Sequence, residues 1–551
     1  MQPESQSKTL RGNAGYVPKK QRALILQGGG ALGAYEAGVF KALSERLSPL
    51  EDDRQEGGKR QHGNLFDIVA GASAGAINAA LIVDHVVRNK KWEGASDVLW
   101  NFWQEISTPV FWPDNKWFSN GWQFWENARK WQSDFFGKFV LPNLPAGNLR
   151  EENLFLPYYF LWPDNLGPLA SEEAARRYWS WYQFAFMSGG TPHVLSPGIV
   201  QPDFRFNNPY NYLVRYSNAP LLMAIKKHWD YEKHSIKTSY DKNEPRLLFV
   251  SVDVKDAITA TFDSYEKENG VWKTEYAHET AGDSSDDDND GRKDTHVIEY
   301  EQGLGIGHLL TSISSHLRYR PPDLEATTIT EEGRDRKSTT LKKKGVRYFW
   351  DGFYLSNTPL REVLQSHRDY WHKIRNHANT LSATTAAAIS RAKETDAATV
   401  PNLEVYIVDL YPTVERDDFP RDPDGVQNRV GDILYHDKTK YDQKIAYLVT
   451  DYIDLANKLI RIAIEQAKDR NTAESEIRDF LETADPKSKK RNGKERKYGD
   501  LLGGRFDVEK VVRIELAADD KNDIYGKAFD FSSGTIKQLL DKGYSDALRY
   551  V

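Results

Sequence analysis

The sequence predicts an α/β fold built on a mostly parallel sheet, and three observations support it. Ala23-Leu24-Ile25-Leu26-Gln27 is a short buried strand that runs through Gly28-Gly29-Gly30-Ala31-Leu32-Gly33 into a helix of roughly 34–47. Phe66-Asp67-Ile68-Val69-Ala70 is a second apolar strand. It runs through Gly71-Ala72-Ser73-Ala74-Gly75 into a small-residue helix from Ala76 to Val83. Further strands follow at Arg246 to Val254 and at Leu403 to Leu410. Strand, helix, strand, helix at this spacing indicates parallel pairing.

Taken in order, residues 1–20 read as a disordered tail, and a Glu/Asp/Arg/Gly-rich loop (51–63) leads into the second strand. From about 92 to 240 the pattern breaks. This stretch holds 12 of the 15 Trp, with prolines and amides interleaved, and reads as an aromatic insertion that caps the core. It is either a lipid-facing lid or substrate channel, since Trp and Tyr suit a membrane interface, or the ordinary aromatic core of a cap domain. After the strand at 246–254 come a β-rich excursion (258–300), a helix (about 304–317) and a polar Lys/Thr loop (326–344). A strand into a turn follows at Tyr348-Phe349-Trp350-Asp351-Gly352, then an Ala/Thr-rich stretch (378–399) and the strand at 403–410. A long amphipathic helix near 440–468, a basic run from Lys487 to Lys497, a strand (510–516) and a helix (about 534–548) complete the chain. The expected division is a catalytic domain over 21–380, with the insertion at 92–240 inside it, and an extension over 381–551. The first strand of that extension is a candidate to complete the core sheet.

The 551 residues suffice for two or three domains, and 39% hydrophobic with 28% charged residues is a globular balance. A net charge of −6 argues against nucleic acid as a partner. With no cysteine there is no disulfide framework, thiol catalysis or thiolate metal site. Met1 to Gln21 lacks the apolar core of a secretory signal, and no stretch approaches ~20 uninterrupted apolar residues. The expectation is a cytoplasmic protein.

Ser73, pinned by Gly71 and Gly75 between a strand and a helix, has the arrangement of a nucleophile elbow. Small residues let the chain turn sharply and lift the hydroxyl clear of the backbone, at the positive end of the following helix. A serine nucleophile needs a base and a place for negative charge to develop. The run Gly28–Gly33 offers the second, as unobstructed backbone N–H groups near a helix start. It also satisfies G-x-G-x-x-G. However, a dinucleotide site wants an acid ending the next strand, and here Asp52 and Asp53 lie in a polar loop. For the base, His367, His372, His377 and His436 lie downstream, the first three in a charged helical stretch where a surface histidine is the default. Asp351 is better placed, ending an aromatic strand before Gly352, where a βα loop would present it at the sheet edge. A plain Asp-Gly turn is the bland alternative.

Three separated blocks resemble those of the patatin-like phospholipases: Gly28 to Gly33 their glycine-rich block, Gly71 to Gly75 their elbow, and Asp351-Gly352-Phe353, with Asn357 and Pro359, their Asp-Gly motif. The helix with Ser312 and Ser315, leading to Pro321-Pro322, resembles the segment that precedes that motif. The resemblance implies a three-layer sandwich and a serine lipid acyl hydrolase with no cofactor and no metal. Ser73 and Asp351 would form a catalytic dyad, with the N–H groups of Gly28, Gly29 and Gly30 as the oxyanion hole. Gly33, Gly71, Gly75 and Gly352 would support the elbow and loops. Its substrate would be a lipid or ester, with a membrane or a lipid or polyester granule as candidate peripheral contact. Intracellular polyhydroxyalkanoate is the alternative substrate, a histidine-assisted esterase the rival mechanism, and a silent lipid-binding or scaffold protein the rival class. Two departures stand out: Phe353 where a small residue is usual, and Leu32 where many members have Arg or Lys. The closing segment from Asp530 to Ala547 resembles the end of a C-terminal extension found in larger bacterial members.

Two further features read as ordinary solvated segments. Asp286 to Gly291 looks like the start of a calcium loop, but Val297 stands where the bidentate Glu belongs. The run Lys487–Lys497 is a solvated loop, with contact to anionic lipid as its alternative.

Overall fold

A computed structural model of the chain describes residues 18–56, 59–109, 172–182, 193–197, 216–266, 271–279, 293–314, 321–332, 339–378, 400–414, 423–486, 496–503, 506–519 and 523–551. Most of the tail, most of the aromatic stretch, the acidic turn at 286–291, the Ala/Thr-rich segment and most of the basic run lie outside these residues.

The strands are β1 (Lys20–Leu26), β2 (Glu51–Glu56), β3 (Lys59–His62), β4 (Ile68–Gly71), β5 (Ser196–Pro197), β6 (Tyr216–Ser217), β7 (Arg246–Asp253), β8 (Ile258–Asp263), β9 (Lys273–Glu279), β10 (Lys293–Glu299), β11 (Asp323–Glu332), β12 (Thr339–Asp351), β13 (Asn402–Asp409) and β14 (Val508–Glu515). The α-helices are α1 (Gly33–Arg46), α2 (Ala74–Asn89), α3 (Ala95–Ile106), α4 (Glu172–Tyr182), α5 (Ala219–His228), α6 (Ile306–Ile313), α7 (Leu360–Ala378), α8 (Pro423–Tyr435), α9 (Lys440–Gln466), α10 (Arg470–Glu482) and α11 (Ser533–Ala547).

One mixed sheet runs β14-β13-β1-β4-β7-β12-β11-β10-β9, with β8 paired to β7 off this path. It is parallel from β14 through β7 and antiparallel beyond. The parallel strands are apolar on both faces because helices cover both. On one face Leu24, Leu26 and Val69 pack with α1, α2, α3 and α11. On the other, Ala23, Ile25, Ile68 and Leu248 pack with Leu360, Val363 and Trp371 of α7. The two-residue period of a strand sends alternate side chains to the two layers. Helices α1 and α11 approach backbone to backbone: a Cβ on Gly38 would stand 2.0 Å from the Leu540 carbonyl, and one on Gly543 would stand 2.1 Å from that of Tyr35.

Two polar segments expected as loops are strands. The 51–63 segment forms the β2/β3 hairpin. Residues 326–344 fall largely in an antiparallel ribbon in which β11 pairs β12 from Asp323↔Tyr348 to Glu332↔Thr339. Lys342, Lys343 and Lys344 are exposed on β12, and the buried positions on the facing stretch of β11 are Ala326 and Thr330, so no apolar alternation announces this part of the ribbon. Strand β12 therefore reaches Asp351 from an antiparallel ribbon, not from a βα unit.

Candidate active site

Ser73 and Asp351 emerge at one level on either side of β7. Gly71, the end of β4, is opposite Phe249, while Asp351, the end of β12, is opposite Ser251. Two residues of β7 thus bring together side chains 278 positions apart in the chain.

Ser73 precedes α2 with φ 52° and ψ −122°, a conformation that costs a non-glycine residue roughly 1–3 kcal/mol. The surroundings impose it. The Ala72 N–H donates to the Leu26 carbonyl at 3.3 Å and the Ser73 N–H to that of Ser312 at 3.1 Å. Glycine is required on both sides: a Cβ on Gly71 would stand 2.3 Å from the Gly75 carbonyl, and one on Gly75 2.3 Å from that of Leu26. The result holds a half-buried hydroxyl at the N-terminal end of a helix.

Asp351 is held with equal care. Its N–H donates to the Ser314 carbonyl at 2.9 Å, so the C-terminal end of α6 binds the backbone of both residues. Gly352 lies against the Val250 carbonyl, 2.2 Å from where a Cβ would be. The Phe353 N–H donates to Asp351 Oδ1 at 3.0 Å. The carboxyl is 3% exposed. Burial pushes its pKa up to about 7, against the Ser73 hydroxyl and the Phe353 N–H, whose hydrogen bonds favour the ion.

The glycine run closes the third side. A Cβ on Gly28 would fall 2.9 Å from Ser73 Cβ and 3.2 Å from Phe353 Cβ, so this backbone abuts the serine. The Gly28 N–H itself donates to Asn357 Oδ1 at 2.9 Å. Among the described residues, the N–H groups of Gly29 and Gly30 meet no acceptor. Gly30, at φ +55°, leaves room for the Ala528 carbonyl, 2.3 Å from the position of a Cβ. Gly33 opens α1 against Trp103 and Ala74.

Gln27, which composition and motif did not single out, ties the site to the rest of the chain. Its side chain is fully buried and makes three hydrogen bonds. Nε2 donates to Thr358 Oγ1 (3.0 Å) and to the Tyr435 carbonyl (2.8 Å), and Oε1 accepts from the Leu410 N–H (2.6 Å). Asn357 Nδ2 donates to the same Tyr435 carbonyl at 2.9 Å. Behind the loop, Glu36 Oε2 accepts from Asn78 Nδ2 at 2.8 Å, and burial raises its pKa well above the usual carboxylate range.

The Phe353 backbone supports Asp351, and its ring packs at a tilt in an aromatic wall with Tyr354 (4.1 Å between centroids) and Tyr435 (5.1 Å). Leu32 is buried in the apolar core. A cavity of about 330 Å³, lined by Leu32, Leu410, Pro412 and Leu516, does not include Ser73 or Asp351. His367, expected at the surface, is fully buried on α7 against Phe506, with Nε2 facing the Pro401 carbonyl at 2.8 Å and its pKa pushed down to about 4. His436 faces carbonyls of its own helix, and the side chains of His372 and His377 lie outside the described residues. Among the described residues no histidine is hydrogen-bonded to Ser73 or Asp351. Val297 sits in β10, opposite Thr327 and Glu275.

Among the described residues no helix is long and apolar enough to cross a membrane. No curated protein matches the chain. Among solved structures, that of VipD from Legionella pneumophila aligns with 95% of this chain and 67% of its own at 11% identity, with a TM-score of 0.25. That likeness is too slight to bear on the fold. The family model described as "Patatin-like phospholipase" matches residues 24–364, more than half of the chain and all three glycine-bearing blocks. The chain belongs to the patatin-like phospholipase family, whose domain is a lipid acyl hydrolase.

Proposed function

We propose that the protein cleaves carboxylic esters of lipids through an acyl-enzyme on Ser73, with Asp351 as the base and no histidine. The observation that carries this reading is a strained, half-buried serine whose hydroxyl lies close enough to a buried carboxylate to favour its ionised form. In the first step Ser73 Oγ attacks the ester carbonyl carbon while its proton passes to the Asp351 carboxylate. The tetrahedral oxyanion is held by the N–H groups of Gly29 and Gly30. Gly28, whose N–H is committed to Asn357, contributes close backbone approach beside the serine. Collapse breaks the C–O bond, and the leaving alcohol takes the proton from Asp351. Water then attacks the acyl carbon and gives a proton to Asp351; the bond from the acyl carbon to Ser73 Oγ breaks, Oγ takes that proton back, and the fatty acid departs.

An aspartate at its ordinary ~3.9 is a weak base for a hydroxyl. Burial makes Asp351 a stronger one, and a base with a pKa near the working pH is the efficient choice. The wall of Phe353, Tyr354 and Tyr435 gives an acyl chain an apolar surface beside the serine.

A fluorophosphonate probe tests the nucleophile: it should label wild-type protein at Ser73 and leave Ser73→Ala untouched. Asp351→Asn should keep the fold by circular dichroism and lose at least about 100-fold in ester turnover, the scale of lost general-base catalysis. Folded wild-type protein without label, or a fully active Asp351→Asn, overturns the reading.

A further inference from the structure

We infer that α9 is a self-association surface, on which two copies of this chain pair antiparallel through an exposed heptad seam. The helix has two apolar faces. The inner one packs on the body of the protein through Ala446, Thr450, Ile453 and Ile464, with Thr450 Oγ1 donating to the Phe506 carbonyl at 2.9 Å. The outer one carries Tyr441, Ile445, Leu448, Tyr452, Leu455, Leu459 and Ile462, each 39–70% exposed. Their spacing alternates four and three residues over 21 positions. That 3.5-residue repeat keeps one stripe facing a partner helix, whereas a surface helix needs no apolar stripe on its solvent side.

The charges beside the stripe select the partner. Lys444, Asp451, Lys458 and Glu465 each stand one residue before an apolar seam position or continue that spacing, so all four flank one side of the seam. All four are exposed, and among the described residues none has an ion-pair partner. The order plus, minus, plus, minus is complementary to its own reverse. In a two-fold antiparallel pair, Ile445 meets Ile462 of the second copy, Leu448 meets Leu459, and Tyr452 meets Leu455. That same register sets Lys444 against Glu465 and Asp451 against Lys458, four opposite-charge pairs in all. Sliding by one heptad either way brings Lys444 against Lys458 with Asp451 against itself, or Asp451 against Glu465 with Lys458 against itself. A parallel pair would set these charges against Val449, Ala456 and Ala463. One arrangement therefore satisfies both the apolar layers and the charges, and it is the isologous geometry of a two-fold dimer.

A bilayer is a poorer fit. The helix carries four cations (Lys440, Lys444, Lys458, Arg461) and four anions (Asp442, Asp451, Asp454, Glu465), without the basic excess of an interfacial helix.

The test is sedimentation velocity on the full chain at micromolar concentration. Wild-type protein should run at twice the chain mass. Lys444→Glu/Lys458→Glu makes the flank all acidic and Asp451→Lys/Glu465→Lys makes it all basic. Each should weaken self-association by roughly 100-fold or more, as four attractive pairs become repulsive. Mixed in equal amounts, the two variants should restore the dimer, which a merely misfolded variant cannot do. A monomeric wild type, a dimer indifferent to these reversals, or a mixture that stays monomeric overturns the proposal. A monomeric wild type that co-sediments with zwitterionic phosphatidylcholine vesicles overturns it as well and assigns the face to lipid.

Discussion

At Asp351 two demands oppose each other: the proposed base must be ionised to take the Ser73 proton, yet its surroundings resist ionisation. This fixes a pH dependence. With a pKa raised to about 7, activity should climb through neutrality as the carboxylate forms, measured as kcat/KM on a soluble ester between pH 5 and 9. The same shift acts on stability with the opposite sense. The folded state holds its proton to higher pH than the unfolded chain, so folding loses on the order of 4 kcal/mol as pH rises from about 4 to above 7. Asp351→Asn removes that loss. Its melting temperature should match wild type only below about pH 4 and exceed it increasingly up to pH 8, and a gap independent of pH would contradict this account. Gln27 makes a second residue-scale case. Gln27→Ala leaves the Leu410 N–H and part of the Tyr435 carbonyl without a partner, and should cost about 2–4 kcal/mol by denaturant titration. Ser73 and Asp351 were legible in the sequence because the elbow spacing and the Asp-Gly step are local. Gln27 was not, because its partners lie 331 to 408 positions away and glutamine at a strand end has no distinctive pattern.

Among the elements, α6 matters most for so short a helix. Its last turn gives the Ser312 carbonyl to Ser73 and the Ser314 carbonyl to Asp351, while Ser312 Oγ donates to the Val250 carbonyl at 2.6 Å. One rigid end therefore sets the separation of the two residues, and β7 sets their level. Ser312→Ala deletes only the anchoring hydroxyl and leaves the Val250 carbonyl short of a donor. It should lower stability by about 1–2 kcal/mol and lower kcat more than it raises KM, since α6 touches the geometry of the pair and not the substrate. An unchanged kcat at the same loss of stability would show that α6 is scaffold alone. The sequence placed this helix within a few residues, and it placed the parallel strands well, because buried strands read as apolar runs. It missed the β11/β12 ribbon, where threonines and exposed lysines carry strand geometry without a hydrophobic period. That omission also hid the direction from which Asp351 is reached: a loop into α7 does follow it, but the strand it ends is antiparallel to β7.

For the molecule as a whole, the family match ends at residue 364, but the sheet does not. β13 pairs β1 along its full length, from Lys20↔Asn402 to Leu26↔Val408, and β14 covers β13 in turn. The C-terminal part also reaches the glycine run twice, Leu410 on Gly29 and the Ala528 carbonyl on Gly30, while the Tyr435 carbonyl accepts from Gln27 and Asn357 beside it. A chain ending at residue 400 would expose β1 as a bare apolar edge and strip those partners from the proposed oxyanion loop. Expressed alone, 1–400 should be insoluble or, where soluble, unlabelled by a fluorophosphonate. Co-expressed with 401–551, it should regain solubility and label, because the missing strand can add to the open edge. A soluble and fully labelled 1–400 would mean instead that the loop holds its shape without β13, and that the long C-terminal part serves something other than the site.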